Sequence, residues 1–110
     1  MRYRRNPSPM EILIGLVRKT GRDRLADLII KYQDDPDVAP LLSKIADKVA
    51  ELVAAKAARE AAGVAETPLT DKQAWKRLAE IAKDVGKAKG WPAELIRALQ
   101  DVFMEKSAAA

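Results

Sequence analysis

The sequence predicts an all-α protein: a compact bundle of about five helices that follows an extended basic N-terminal arm. Apolar residues recur at three- and four-residue spacing in five separate stretches, which is the period of an amphipathic helix. Capping residues, glycines and prolines stand between these stretches, where helices begin and end. No stretch alternates apolar and polar residues as a β-strand does. Since 110 residues suit one domain, we expect a single helical domain over residues 8–106.

The expected arm covers residues 1–7, which have no apolar periodicity and stand beside two prolines. The first helix is predicted over residues 8–20. Ser8 is its expected N-cap, Pro9 stands at its first position, and Glu11 completes a capping box. These residues together predict a well-defined start for the domain.

A second helix is predicted over residues 22–33, so close to the first that the two should form a tight hairpin or corner. A break rich in aspartate and proline separates it from a long helix over residues 40–62. This long helix is the segment around which the other helices should pack. Its apolar stripe consists of Leu41, Leu42, Ile45, Val49, Leu52 and Val53.

The C-terminal half of the chain is predicted to form two further helices. A linker over residues 63–68 precedes a helix over 70–89, which Thr70 should open as the N-cap of a second capping box. The last helix is expected over residues 92–106, and residues 107–110 should form a short tail.

A row of alanines runs beside the apolar stripe of the long helix. One interpretation is an oligomer interface, because small side chains let a second helix approach closely. The other is that alanine is simply the best helix former. The expected interface consists of Ala50, Ala54, Ala58 and Ala62.

The composition argues against an enzyme. The chain contains neither histidine nor cysteine, so the usual general base, thiolate chemistry and the commonest metal ligand are missing. The aspartates at 34, 35 and 37 lack the glycine and glutamate that an EF-hand loop requires. The glycines are too scattered for a phosphate loop. We expect no catalytic residue, no metal, no cofactor and no small-molecule substrate.

The charge favours an anionic partner. The net charge is +4, and its excess lies at the two ends of the sequence. Residues 1–9 carry three arginines and no acid, and residues 67–110 carry eight basic against six acidic residues. Nucleic acid is the leading candidate for such a distribution.

Three basic groups are the candidate nucleic-acid contacts. An arginine arm with a tyrosine could contact phosphates, or could be an inert tail. Residues around the first helix–helix turn form the second group, although basic residues also suit a helix C-terminus. Four lysines on one helix face form the third, although a charged outer face is common. The groups are Arg2, Tyr3, Arg4 and Arg5; Arg18, Lys19, Arg22 and Arg24; and Lys72, Lys76, Lys83 and Lys87.

These features predict a non-enzymatic protein that binds or packages nucleic acid without sequence specificity, in particular duplex DNA through its backbone. No convincing recognition helix is evident, because the helix after residue 90 begins too late for a compact helix-turn-helix. An arm joined to compact helices resembles, in organisation and without a specific motif, the small helical coat and nucleocapsid proteins of archaeal and bacterial viruses. The alternative is a homo-oligomeric structural or adaptor module with no nucleic-acid role.

The sequence also carries expectations about location. No apolar run reaches the length of a membrane span, and the short apolar stretch after residue 9 lacks a cleavage site and is followed by basic residues. We expect an intracellular or virion protein without a signal peptide or a membrane partner. Few thermolabile residues beside many charged ones suggest a thermophilic source.

Overall fold

The computed structural model describes residues 8–64 and 69–109, which form five α-helices and, within these ranges, no β-strand. The prediction of an all-α bundle is thereby confirmed. The helices are α1 (Pro9–Lys19), α2 (Asp23–Tyr32), α3 (Ala39–Ala61), α4 (Leu69–Lys89) and α5 (Ala93–Ala109).

The N-terminus of α1 is capped as its sequence predicts. The Ser8 hydroxyl accepts a hydrogen bond of 3.2 Å from the Glu11 amide, and Pro9 occupies the first turn, where its missing N–H costs nothing. At the other end Gly21 has a φ of 80°, a left-handed conformation that L side chains rarely adopt. The Arg22 amide then donates to the Val17 carbonyl at 3.2 Å. This ending turns the chain directly into α2.

The hydrophobic core receives side chains from all five helices. α3 contributes a stripe that ends at Leu52, and no later residue of α3 is buried. The predicted stripe is fully buried at most of its positions, whereas Leu41 and Val53 lie at its half-buried edges. The largest fully buried side chains are Phe103, Leu13, Ile29, Leu42, Leu95, Leu99, Val17, Val49 and Val102.

The α4–α5 hairpin depends on Gly86, a glycine in the last turn of α4. A Cβ built on Gly86 would lie 2.4 Å from Ile96 Cγ1 and 3.5 Å from a ring carbon of Trp91. α5 can therefore approach α4 so closely only because position 86 has no side chain. At the opposite end of the hairpin, the Ser107 hydroxyl donates to the Lys72 carbonyl at 2.9 Å.

Trp91, which the periodicity of the sequence did not single out, fastens the α2–α3 loop to the α4–α5 turn. Its side chain is buried, and its indole N–H donates to the Asp37 carbonyl at 3.3 Å. Within the loop the Asp35 carboxylate accepts from the Asp37 amide at 2.8 Å. At least one acidic residue of this loop thus has a local role in shaping the backbone.

Two boundaries differ from the expected ones. α4 begins at Leu69, so Thr70 lies inside the first turn and is not the N-cap. α5 continues to Ala109, although residues 107–110 were expected to form a tail. Alanine has the highest helix propensity, and the Ser107 hydrogen bond holds this turn against α4. The linker residues 65–68 lie outside the described ranges.

The close approach at Gly86 predicts opposite effects for two glycine substitutions within helices. Gly86→Ala should lower the free energy of unfolding by about 1–2 kcal/mol, because overpacking outweighs the gain in helix propensity. Gly15→Ala in α1 is the control, since its added Cβ meets nothing within 4 Å. It should stabilise the protein by about 0.5–1 kcal/mol. Urea denaturation of both variants measures the difference, and equal effects would contradict the close approach.

Candidate nucleic-acid interface

The outer face of α4 carries four exposed lysines, at positions 72, 76, 83 and 87. At 100° per residue they project within an arc of about 60°, and they extend over about 22 Å of helix. The adjacent face, centred about 100° away around the helix, is held against the core by Trp75, Leu78, Ala79, Ala82 and Gly86. Burial of that face leaves the lysines exposed on one flank of α4, as a basic stripe of two pairs that are seven residues apart.

These four lysines form no ion pair with any residue in the described ranges. Glu80, the acid that interrupts the stripe, is engaged with Arg77 at 3.3 Å. Asp71, at the beginning of the same helix, is paired with Arg59 of α3. The charges of these lysines are therefore not neutralised by an ion pair within the described residues.

The structure divides the second predicted group, which consists of Arg18, Lys19, Arg22 and Arg24. Arg22 pairs with Glu105, and Arg24 pairs with Glu94, so both arginines join α2 to α5. The Arg24–Glu94 hydrogen bond raises the pKa of Arg24 and lowers the pKa of Glu94. Both side chains are substantially exposed, and the pair contributes little stability. Arg18 and Lys19 are exposed at the end of α1, where they complement the helix dipole.

The arm group of Arg2, Tyr3, Arg4 and Arg5 lies outside the described residues. Its contribution to binding stays a prediction.

The alanine row becomes progressively more exposed along α3. Ala46 is buried and Ala50 is half-buried, whereas Ala54, Ala58 and Ala62 are exposed. The last three positions of the row are therefore open to solvent.

A cavity of about 330 Å³ lies where α1, the end of α3 and the hairpin α4–α5 meet. Lys19, Lys56 and Lys106 reach it from three different helices, and Trp75 forms part of its wall. Sequence reasoning missed Lys56 and Lys106 as site residues. The one available signal was that Lys56 continues the line of the apolar stripe beyond Val53, where a core residue would be expected.

The Arg59–Asp71 ion pair stands at the edge of this cavity. The two groups are 2.6 Å apart, with only 20% and 13% of their side chains exposed. The pair connects the end of α3 to the first turn of α4 across residues 62–68. It therefore positions the two helices that bring Lys56 and Trp75 to the cavity.

No protein-family model, curated protein sequence or solved structure matches this chain. The expected viral and thermophilic origins therefore stay predictions. Across residues 8–64 and 69–109, no group of three histidine, cysteine or acidic residues could hold a metal ion. None of the helices described in those ranges is long and apolar enough to cross a membrane.

Removing the Asp71 carboxylate should lower the free energy of unfolding far more than removing the carboxylate of an exposed ion pair. Asp71→Ala leaves the Arg59 guanidinium largely buried without its partner, and we expect a loss of about 1.5–3 kcal/mol in the free energy of unfolding. Glu51→Ala, which breaks the exposed Lys48–Glu51 pair, should cost less than about 0.5 kcal/mol. Chemical denaturation compares the two, and equal losses would show that the Arg59 pair is not structural.

Proposed function

We propose that this protein is a non-enzymatic, sequence-nonspecific nucleic-acid-binding or packaging protein that contacts the backbone of duplex DNA. The observation that carries the proposal is the α4 stripe of four exposed lysines without ion-pair partners in the described part of the chain. Other basic residues of the sequence are used inside the molecule, in pairs that connect α2 to α5 and α3 to α4. The lysines of the stripe form no such pair within the described residues.

The residue type of the stripe supports backbone contact over base readout. A lysine ammonium is a compact, strongly hydrated charge on a flexible stem, and it binds phosphate without requiring one geometry. Direct readout of bases relies more on arginine, asparagine and glutamine, which make bidentate contacts. Arg77, the arginine of α4, is already paired with Glu80. A stripe of lysines along one helix suits a row of phosphates whatever the base sequence.

The stripe predicts a specific change in the salt dependence of DNA binding. Each phosphate contact contributes about −0.9 to the slope of log K against log salt concentration. Lys76→Gln/Lys83→Gln should therefore make the slope shallower by about 1.8 and weaken binding equally for two duplexes of unrelated sequence. Fluorescence anisotropy at several salt concentrations measures both quantities.

The matched control is Lys31→Gln/Lys44→Gln, which lowers the net charge by the same amount at exposed lysines of α2 and α3. Its slope should remain close to that of the wild type. Equal changes in both double variants would show that the salt dependence follows net charge alone. The α4 stripe would then not be the DNA-binding surface.

Self-association through the alanine row stays a prediction, and the exposure of Ala58 makes its test simple. In a monomer, Ala58→Leu adds a side chain to solvent and should change neither size nor stability. If two copies pack through the row, the same change should weaken their association by about 1–3 kcal/mol through overpacking. Sedimentation of the wild type, Ala58→Leu and the off-row control Ala55→Leu decides between these results. A monomeric wild type would remove the oligomer interpretation.

A further inference from the structure

The cavity between α1, α3, α4 and α5 combines positive charge with an apolar wall. Lys19, Lys56, Arg59 and Lys106 contribute four cationic groups to its lining, and Glu60 and Asp71 contribute two carboxylates, so the lining has a net charge of +2. Its remaining surface includes Leu16, Leu52, Val53 and Trp75. A volume of about 330 Å³ is in the range of small-ligand sites.

The two carboxylates do not neutralise the lysines evenly. Asp71 is engaged at 2.6 Å with Arg59, and Glu60 is 4.0 Å from Lys56 on the same helix. Lys19 and Lys106 form no ion pair with any residue the structure describes. The ammonium of Lys106 lies 5.6 Å from the centroid of the Trp75 ring, so it is held beside the apolar wall.

The lysines are close enough to influence one another. Partial burial lowers the pKa of Lys106, and the positive charges of Lys56 and Lys19 lower it further, while Glu105 opposes them. Glu105 is itself paired with Arg22. Three like charges from three helices thus line one cavity, with Lys106 partly buried, and an anion bound there would relieve their repulsion.

We propose that this cavity is a binding site for a phosphate monoester with a small apolar organic group. The phosphate would contact Lys19, Lys56 and Lys106, and the organic group would lie against Leu52, Val53 and Trp75. A phosphate monoester carries a charge close to −2 at neutral pH, which matches the lining. The cavity is larger than a bare phosphate needs, and its apolar wall gives an organic group something to bury. This proposal does not depend on DNA binding.

Phenyl phosphate is a suitable probe, with inorganic phosphate and sodium chloride at matched ionic strength for comparison. Isothermal titration calorimetry of the full chain should show the phenyl ester binding more tightly than inorganic phosphate, and sodium chloride giving no saturable heat. Lys106→Met should weaken binding of phenyl phosphate by about tenfold or more, the usual effect of losing a hydrogen bond to a charged group.

Lys31→Met is the matched control, because Lys31 also lies over an aromatic ring, 5.3 Å from the centroid of Tyr32, but outside the cavity. It should bind phenyl phosphate as the wild type does. A saturable signal that is equal in the wild type and Lys106→Met, or no saturable signal at all, would overturn the proposal.

Stability measurements separate a binding role from a structural one. Without ligand, Lys106→Met should melt no lower than the wild type, since it removes a repelled and partly desolvated charge. Phenyl phosphate should raise the melting temperature of the wild type and not that of the variant. If Lys106→Met proves unstable, Lys19→Met, at an exposed position of α1, provides the same binding test.

Binding of duplex DNA tests whether the cavity takes a small ligand or a phosphate of the DNA backbone. Lys106→Met should bind duplex DNA within about twofold of the wild type if the cavity is separate from the α4 stripe. A loss as large as that of Lys76→Gln/Lys83→Gln would assign the cavity to the DNA surface and overturn the small-ligand site. Failure of the wild type to bind DNA would leave the phenyl phosphate result unaffected.

Discussion

The close contact of α4 and α5 at Gly86 is the constraint on which the other features depend. It brings Ile96 and Trp91 against the backbone of α4, and it fixes which face of α4 is covered. The lysine stripe faces solvent because the adjacent face of α4 is held against the core. The same packing aligns the far end of α5 with the first turn of α4, so that Lys106 comes to lie over Trp75. One missing side chain thus determines both the basic surface and one wall of the cavity.

The ion pairs of the described residues separate the basic residues that pair with an acid of another helix from the lysines of the α4 stripe, which form no ion pair there. Arg22, Arg24 and Arg59 each reach an acid on a different helix. All three are arginines, whose planar guanidinium suits a carboxylate at a fixed position. The stripe consists of lysines, which lose more freedom for each contact and are better suited to a mobile, hydrated interface. The residue types therefore agree with the division that the structure shows.

The sequence was sufficient to predict the helices and the face that each one buries. The 3.6-residue period of apolar side chains is a local property, because it can be read within a single helix. Ser8 and Gly21 mark the ends of α1 through local hydrogen bonds, and both residue types indicate a helix end in the sequence alone. The α4 stripe was also predictable, since residues of one helix share a face whatever packs around them. The prediction that Thr70 is the N-cap of α4 was wrong, because a serine or threonine before an apolar run only weakly indicates where a helix begins.

The partners of Arg22 and Arg24 and the cavity around Lys106 could not be predicted in this way. Arg22 and Glu105 are 83 residues apart, and Arg24 and Glu94 are 70 apart. Periodicity gives the buried side of a helix, but it does not say which helices meet. Lys106 looked like an ordinary surface residue near a helix end, and only the meeting of three helices gives it Lys19 and Lys56 as neighbours.

The Trp91–Asp37 hydrogen bond has a consequence for the order of folding. The contacts within α1–α2 and within α4–α5 span short loops, whose closure costs little entropy, so each hairpin can form early. The bond from Trp91 to the α2–α3 loop joins residues 54 apart and requires both halves of the chain. We therefore expect this bond to form after the two hairpins. The indole of Trp91 therefore joins the two halves of the chain, whereas Trp75 packs against Phe103 within the C-terminal hairpin.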